Sequence, residues 1–164
     1  MPVTPFHGGI GLLAKGVLGR RFSFIVFCAT QGAIDCESAY HLLRGDWPVH
    51  RFFHTLLGAT IISAAAALVC RIVAIRWPAS SPADLRIARS IPVLLTTVAA
   101  GVLGHVIPDG IMHSDVVPLA PFSAENPLFD LIGLGTLHAA LVLAGVAGLI
   151  LLILRRKWRR QVGN

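Results

Sequence analysis

Charged residues are scarce in this chain. They make up 13% of its 164 residues, while apolar residues make up 55% and the mean hydropathy is +0.74. Soluble domains usually carry about 25% charged residues, so an ordinary water-soluble globular protein is excluded. The three cysteines, Cys28, Cys36 and Cys70, have no paired spacing, which argues against a disulfide framework. No repeat or long linker is present, so a single domain over residues 1–164 is predicted.

Long apolar runs dominate the sequence. A helix needs about 20 mostly apolar residues to cross a bilayer, and four segments approach or reach this length. A fifth, Gly-rich segment, Pro5–Leu18, is predicted to be a short buried helix or an amphipathic stretch on the cytoplasmic side. The expected fold is an all-α integral membrane protein, a compact bundle of four to five transmembrane helices. The four longer predicted helices are Phe22–Cys36, Phe52–Ile75, Ala88–Ile107 and Leu128–Leu154.

The basic residues are unevenly distributed among the connecting segments. Twelve of the fourteen fall near the first turn, around the loop at Ser80, or in the tail 155–164. The two remaining loops are richer in acidic residues. The positive-inside rule places the basic side, with the carboxyl terminus, in the cytoplasm. The charge then serves topology and contact with anionic membrane lipids, and nucleic-acid binding is not expected.

Ionisable side chains recur at one depth of the predicted bundle. His7, Asp35, His54, His105 and His138 each lie about 13 to 17 residues from a basic marker at the cytoplasmic end of their segment. This separation corresponds to roughly 20–26 Å along a helix. Ionisable groups at membrane depth are costly and normally face a bundle interior or a wet cavity. One polar site near the non-cytoplasmic face is therefore predicted.

Local spacing adds to this site. His50 and His54 are four residues apart, as are His105 and Asp109, and residues four apart share one face of a helix. Pro108 disfavours a helix beyond Asp109, so His113 is a weaker candidate.

Imidazole and carboxylate ligands favour Zn²⁺, with Mn²⁺ or Fe²⁺ as alternatives. The set exceeds the three protein ligands of a simple catalytic zinc site, so either two metals bind or some members orient the others. The other loop acids are assigned to solvent: Asp46, Asp84, Asp115 and Glu125. The predicted metal ligands are His7, Asp35, His50, His54, His105 and Asp109.

Four short motifs occur in a familiar order: Thr4–Gly9, Asp35–Glu37, His50–Thr55 and Gly104–Asp109. Together with the Pro-rich segment Val117–Phe122, they resemble the YdjM- or YbcI-like family of bacterial inner-membrane proteins, which are regarded as metal-dependent hydrolases. The resemblance covers nearly the whole chain and implies a multi-pass protein of the bacterial inner membrane with its site facing the periplasm.

The chain departs from the family pattern at several positions. Glu37 stands where the family has a second Asp, and no Pro precedes the acidic pair. Phe53 and Thr55 replace the family's Thr and Ser in the third motif. The longer Glu37 side chain need not ligate as Asp would.

The expected function is a membrane-embedded, metal-dependent hydrolase acting on a lipid or lipid-linked phosphoester. A bound metal would activate water. Glu37 is the candidate general base. Arg51 is the candidate phosphate ligand, although an interfacial arginine that reaches lipid headgroups explains it equally well.

Three alternatives stand beside this prediction. The first is a b-type haem electron carrier with axial ligands among His54, His105 and His138. The second is a non-enzymatic metal-binding or transport protein, for which polar residues should continue towards the cytoplasm. Few do: Thr30, Gln31, Ser63, Thr96 and Thr97. The third is a structural, partner-binding role.

Overall fold

The computed structural model describes residues 6–162 and contains helices but no β-strand within that range. Short 3₁₀ turns precede three of the helices, at Gly19–Arg21, Phe52–His54 and Ile87–Arg89. The predicted all-α fold is confirmed. The helices are α1 (His7–Leu18), α2 (Phe24–Arg44), α3 (Leu56–Arg76), α4 (Ala83–Arg86), α5 (Ile91–Met112) and α6 (Leu134–Val162).

Three helices, α3, α5 and α6, are long and apolar enough to cross a membrane. Helix α6 has 29 residues and is therefore about 43 Å long. This exceeds the roughly 30 Å of a bilayer's hydrocarbon core, so the helix is longer than a crossing requires. Helix α1 has only 12 residues and packs as a short helix against its neighbours, as one of the two interpretations of its sequence proposed. Pro5 lies outside the described residues.

The predicted end of the second helix was wrong. Helix α2 does not stop at Cys36 but continues to Arg44. Ser23 caps its amino end, where the Ser23 hydroxyl accepts the Val26 amide, and Gly45 caps its carboxyl end with a φ of +70° that glycine readily adopts. The acidic residues of this segment therefore lie within a helix that carries them into the bundle.

The other boundaries shift by a few residues. Helix α3 begins at Leu56 and not at Phe52, because Thr55 caps it by accepting the Gly58 amide. Helix α6 begins at Leu134 and not at Leu128, and it continues through the basic segment that was expected to form a tail.

Helix α5 runs through Pro108 to Met112, beyond its predicted end at Ile107. A proline inside a helix removes one backbone hydrogen bond, and the helix continues here despite that loss. The last carbonyl oxygens of a helix have no partner within the helix, and the Asn126 side chain donates to two carbonyl oxygens at this end, those of Gly110 and His113. The long loop after α5 thereby binds the final turn of this helix.

Helices α2, α3 and α5 pack against one another and form the centre of the bundle. Helix α1 packs against α5 and α2 on one side and against α6 on the other, and α6 has few contacts with any other helix. Side chains on α2 and α5 therefore face a common interior that α1 also borders.

Asp84 is not a solvent-facing loop acid as predicted. Its carboxylate pairs with Lys15 and accepts the Ile25 amide at 2.8 Å and the Ser23 hydroxyl at 3.1 Å. It thus joins the ends of α1 and α2 to α4, and its charge complements the amino terminus of α2.

Candidate metal centre

Four side chains from three segments converge inside the bundle and define the buried cluster: Asp35 of α2, His54 of the 3₁₀ turn, and His105 and Asp109 of α5. The Nε2 atom of His105 lies 3.4 Å from Nε2 of His54, 3.4 Å from Oδ1 of Asp35 and 3.2 Å from Oδ2 of Asp109. The two histidines are fully buried, and the Asp35 side chain is 13% exposed. This cluster could hold a metal ion.

The spacing of the four donor atoms fits a small divalent cation. A tetrahedral ion with bonds of about 2.0–2.1 Å separates its ligand atoms by about 3.3–3.4 Å. In addition to the three distances from His105, Nε2 of His54 lies 3.6 Å from Asp109 Oδ2 and 4.0 Å from Asp35 Oδ1. The longest of these separations involves Asp35, which is also the most exposed member of the cluster.

His7 borders the buried cluster from α1. Its Nε2 atom lies 3.2 Å from Oδ1 of Asp109, and its ring stacks on that of His105 with the centroids 4.6 Å apart. Asp109 therefore faces the cluster with one carboxylate oxygen and His7 with the other. Oriented in this way, His7 can hold Asp109 or provide a further ligand.

Oxygen atoms lie near the other ring nitrogens of both histidines, within hydrogen-bond distance for His105 and slightly beyond it for His54. Nδ1 of His105 is 2.9 Å from Oε1 of Gln31, and Nδ1 of His54 is 3.6 Å from Oε2 of Glu37. If each Nδ1 carries the proton, each Nε2 presents a lone pair to the cluster. Metal-binding histidines are typically held in this way by an oxygen acceptor.

Gln31 was not predicted as part of the site. In the sequence it was only one of a few polar residues nearer the cytoplasmic side. Its amide nitrogen donates to the Gly101 carbonyl oxygen at 3.1 Å, which fixes the orientation of its oxygen towards His105. Its place four residues before Asp35, on the same face of a helix, was the signal that could have identified it.

Close approaches at glycine bring the site helices together. A Cβ atom at Gly101 would lie 2.5 Å from the Thr30 hydroxyl, and one at Gly104 would lie 3.0 Å from Ile10. A Cβ atom at Gly58 would lie 1.8 Å from the Phe52 carbonyl oxygen. The small residues on α5 therefore allow α2 and α1 to lie close at the level of His105, and Gly58 allows the 3₁₀ turn of His54 to fold onto α3.

A second group, the outer cluster, consists of His50, His113 and Asp115. Nδ1 of His50 lies 2.9 Å from Asp115 Oδ1, the His50 and His113 rings stack at 4.3 Å, and the three offer a second possible metal site. Asp115 was predicted to face solvent, and that prediction was wrong: its side chain is 5% exposed. Its other oxygen accepts the amides of Val49 and His50.

The pKa values of Asp115 and His113 are shifted in directions that favour cation binding at the outer cluster. Burial would raise the pKa of the Asp115 carboxyl, but the hydrogen bonds from His50 and from the Val49 amide lower it below its ordinary value. Burial and the neighbouring His50 lower the pKa of His113. Asp115 is therefore ionised and His113 neutral at pH 7, the forms in which both groups bind metals.

A cavity of about 350 Å³ leads to the outer cluster, lined on its other side by the end of α2 and the loop after it. His50 lines this cavity, and its ring contacts that of His54 with the centroids 4.6 Å apart. The two clusters are thus adjacent, and the outer one lies between the cavity and the buried one.

The structure places the remaining predicted residues as follows. His50 and His54 touch, but not as neighbours on one helix, since His50 precedes the 3₁₀ turn. His138 stacks on Phe6 and lies outside both clusters. Arg51 is exposed, and its Nε donates to the Pro48 carbonyl oxygen. Glu37 accepts the amides of Arg51 and Phe53 with Oε2, the same oxygen that faces His54.

The fold and the site together define an all-helical bundle with helices long enough to cross a membrane and a buried His/Asp group that could hold a metal ion. No protein-family model matches the chain, and neither does any curated protein or solved structure.

Replacing Gln31 by leucine is expected to weaken divalent-metal binding by about 10–100-fold, because the His105 Nδ1 proton loses its acceptor. Gln31→Glu should retain most of the affinity, since a carboxylate can accept the same proton. Competition between the purified protein and a chromophoric zinc chelator measures both. Equal affinity of Gln31→Leu and the wild type would show that Gln31 does not orient a ligand.

Proposed function

We propose that this protein is a membrane-embedded, metal-dependent hydrolase whose site opens at the non-cytoplasmic face of the membrane. The observation that carries the proposal is the buried cluster, in which two imidazole nitrogens and two carboxylate oxygens lie at distances suited to one divalent cation. The resemblance to the YdjM- or YbcI-like family is consistent with this function and remains a prediction.

Asp35, His54, His105 and Asp109 would hold the metal, with Zn²⁺ the favoured ion and Mn²⁺ or Fe²⁺ as alternatives. When bound there, the ion would supply Lewis acidity and lower the pKa of a coordinated water molecule. The protein's own contribution is orientation: Gln31 accepts a hydrogen bond from His105, and the Glu37 carboxylate lies 3.6 Å from Nδ1 of His54. His7 holds Oδ1 of Asp109, the carboxylate oxygen that faces away from the buried cluster.

Glu37 is better suited to positioning than to the general-base role that its sequence suggested. One of its oxygens accepts two backbone amides of the turn that carries His54 and also faces the ring of that histidine. These contacts hold the carboxylate in one orientation. We therefore assign it to fixing the 3₁₀ turn in place beside the buried cluster.

The substrate class follows from the location of the cavity. Its lining carries the outer cluster and lies at the end of the bundle opposite the basic residues, which the positive-inside rule places in the cytoplasm. Exposed Arg51 follows His50 at this end and can pair with a phosphate oxygen. A lipid or lipid-linked phosphoester in the outer leaflet is therefore the proposed substrate, with membrane lipids as its surroundings.

Hydrolysis tests the proposal directly. Detergent-purified protein should release phosphate or an alcohol from a panel of phospholipids and lipid-linked phosphates, as a water oxygen adds to phosphorus and the ester P–O bond breaks. Removal of metal by a chelator should abolish turnover, and one equivalent of zinc or manganese should restore it. Asp109→Asn should reduce turnover by about 100-fold or more.

The matched control is Glu125→Gln, which changes the same chemical group at an exposed loop position. Its turnover should equal that of the wild type. If the protein binds metal but hydrolyses no member of the panel, the hydrolase proposal is rejected. The metal site would then still be supported by the metal binding itself.

A non-enzymatic metal-binding role is the second candidate. It is favoured by the presence of four protein donors in the cluster, since four-coordinate protein sites are usually structural and catalytic zinc sites keep one position open. The haem alternative receives no support from the geometry. Oδ2 of Asp109 lies 3.6 Å from Nε2 of His54 and 3.2 Å from Nε2 of His105. This carboxylate occupies the space beside the two nitrogens where the plane of a porphyrin would have to lie.

A further inference from the structure

A large basic cavity lies at the end of the bundle opposite the metal centre. Its volume is about 1180 Å³. It is bordered by the 3₁₀ turn at Gly19–Arg21, by α4 and the 3₁₀ turn that follows it, by the start of α5 and by the last turns of α6. Seven arginines and one lysine line it. They are Lys15, Arg20, Arg21, Arg86, Arg89, Arg155, Arg156 and Arg159.

The positive charge of the basic cavity is almost uncompensated. Asp84 is the one carboxylate among the lining residues of this cavity, and it is already paired with Lys15. Seven guanidinium groups therefore surround the cavity without an acidic partner in its lining. The arginines are exposed, so solvent weakens their mutual repulsion, and an anion bound between them would reduce it further.

Several of these arginines are held in place by backbone oxygens and not by acids. Arg86 donates to the Ser81 carbonyl oxygen, Arg89 to that of Ala74 and Arg155 to that of Val17, at 2.9, 2.9 and 2.6 Å. Gly19 makes room for the Arg155 guanidinium, since a Cβ atom there would lie 2.4 Å from it. These bonds reduce the mobility of the cationic groups and leave their charge intact.

The amino terminus of α5 adds to the positive potential. Ser90 and Val93 line the cavity, and the first turn of this 22-residue helix contains no acidic residue. The amino end of a helix carries a partial positive charge. Apart from Asp84, every charged group that lines the cavity, and the helix end beside it, therefore favours the binding of an anion.

The apolar rim of the cavity indicates what the anion is attached to. Leu152 of α6 belongs to the lining, and the next residues, Ile153 and Leu154, are each 55% exposed on a helix long and apolar enough to cross a membrane. A ligand whose charged part fills the cavity can extend an apolar part along this surface. Soluble phosphates have no such part.

We propose that the basic cavity binds the headgroup of an anionic phospholipid, with its acyl chains lying along α6. A headgroup that carries two phosphates matches the number of arginines best. Arg156 and Arg159 bind it from α6, and Arg20 and Arg21 bind it from the 3₁₀ turn that precedes α2. The site is independent of the metal centre and of the hydrolase proposal.

Native mass spectrometry of the delipidated, full-length protein in detergent tests the site. Cardiolipin, which carries two phosphates, is titrated against zwitterionic phosphatidylcholine. The double variant Arg156→Gln/Arg159→Gln should bind cardiolipin about tenfold more weakly than the wild type. Lys157→Gln/Arg160→Gln is the matched control, since it removes the same charge from the same helix at positions outside the cavity lining. Its affinity should stay within about twofold of the wild type.

Arg20→Gln provides an independent variant on a different element and should also weaken cardiolipin binding. Equal losses in the two double variants would overturn the proposal, because they would show general attraction to a basic surface. Displacement of cardiolipin by inorganic pyrophosphate at equal concentration would also overturn it, because the ligand would then be a soluble phosphate.

Discussion

Replacing His105 by alanine is expected to remove the divalent metal from the purified protein. The lost Nε2 atom is the one closest to all other donors of the buried cluster, within 3.2–3.4 Å of His54, Asp35 and Asp109. Three donors with a gap between them cannot complete a tetrahedral set, so the affinity should fall by about 100-fold or more. Elemental analysis after gel filtration should show about one equivalent less of zinc or manganese in the variant than in the wild type, since the outer cluster keeps its ligands.

His138→Ala is the matched control for this experiment. His138 also belongs to an apolar helix, but it stacks on Phe6 and lies outside both clusters. Its metal content should equal that of the wild type, and circular dichroism should show the same helix content for both variants. If His105→Ala retained a full equivalent of metal while His138→Ala lost it, the buried cluster would not be the binding site.

Replacing Gly9 by alanine is expected to separate α1 from α6. A Cβ atom at this position would lie 2.1 Å from the Leu141 carbonyl oxygen, which belongs to the backbone and cannot rotate away. The helices must move apart, at a cost of about 1–3 kcal/mol in the free energy of unfolding. His7, two residues earlier on α1, moves with the helix, so metal affinity should fall as well.

Gly8→Ala is the control one residue away. No atom lies within 4 Å of a Cβ atom built at Gly8, and alanine favours a helix over glycine by up to about 1 kcal/mol. Unfolding of the detergent-solubilised protein in increasing sodium dodecyl sulfate should therefore show a loss of stability for Gly9→Ala and none for Gly8→Ala. Equal stability of the two variants would show that the α1–α6 contact does not depend on a glycine at position 9.

Much of the architecture was determined by composition and periodicity alone. Scarce charge and long apolar runs indicated an all-α bundle with helices able to cross a membrane, because backbone polar groups in lipid must be satisfied within each segment. The depth argument also brought His7, Asp35, His54 and His105 to one level, since the rise per helical residue is constant. For His138 the same count of residues along the helix gave the right depth but did not show that it lies outside the site, because α6 packs on α1 and not on the centre of the bundle.

The spacing of four residues had mixed value. On α5 it correctly placed His105 beside Asp109, because that segment is a continuous helix. For His50 and His54 it assumed a helix that the chain does not form. Their rings meet because the 3₁₀ turn folds against α3 at Gly58, a contact between backbone segments that no periodicity records.

The sequence by itself indicated the helical class, the presence of helices able to cross a membrane and most of the side chains that meet in the site, because these depend on residue types and on the fixed geometry of a helix. Only the tertiary structure decided which members meet and what orients them. It selected Asp35, His54, His105 and Asp109 for the buried cluster, added Gln31 as a hydrogen-bond acceptor, and turned Asp115 from a loop acid into the partner of His50. These assignments depend on how far one helix rotates and how closely it approaches another, and that is settled by packing between residues distant in the chain.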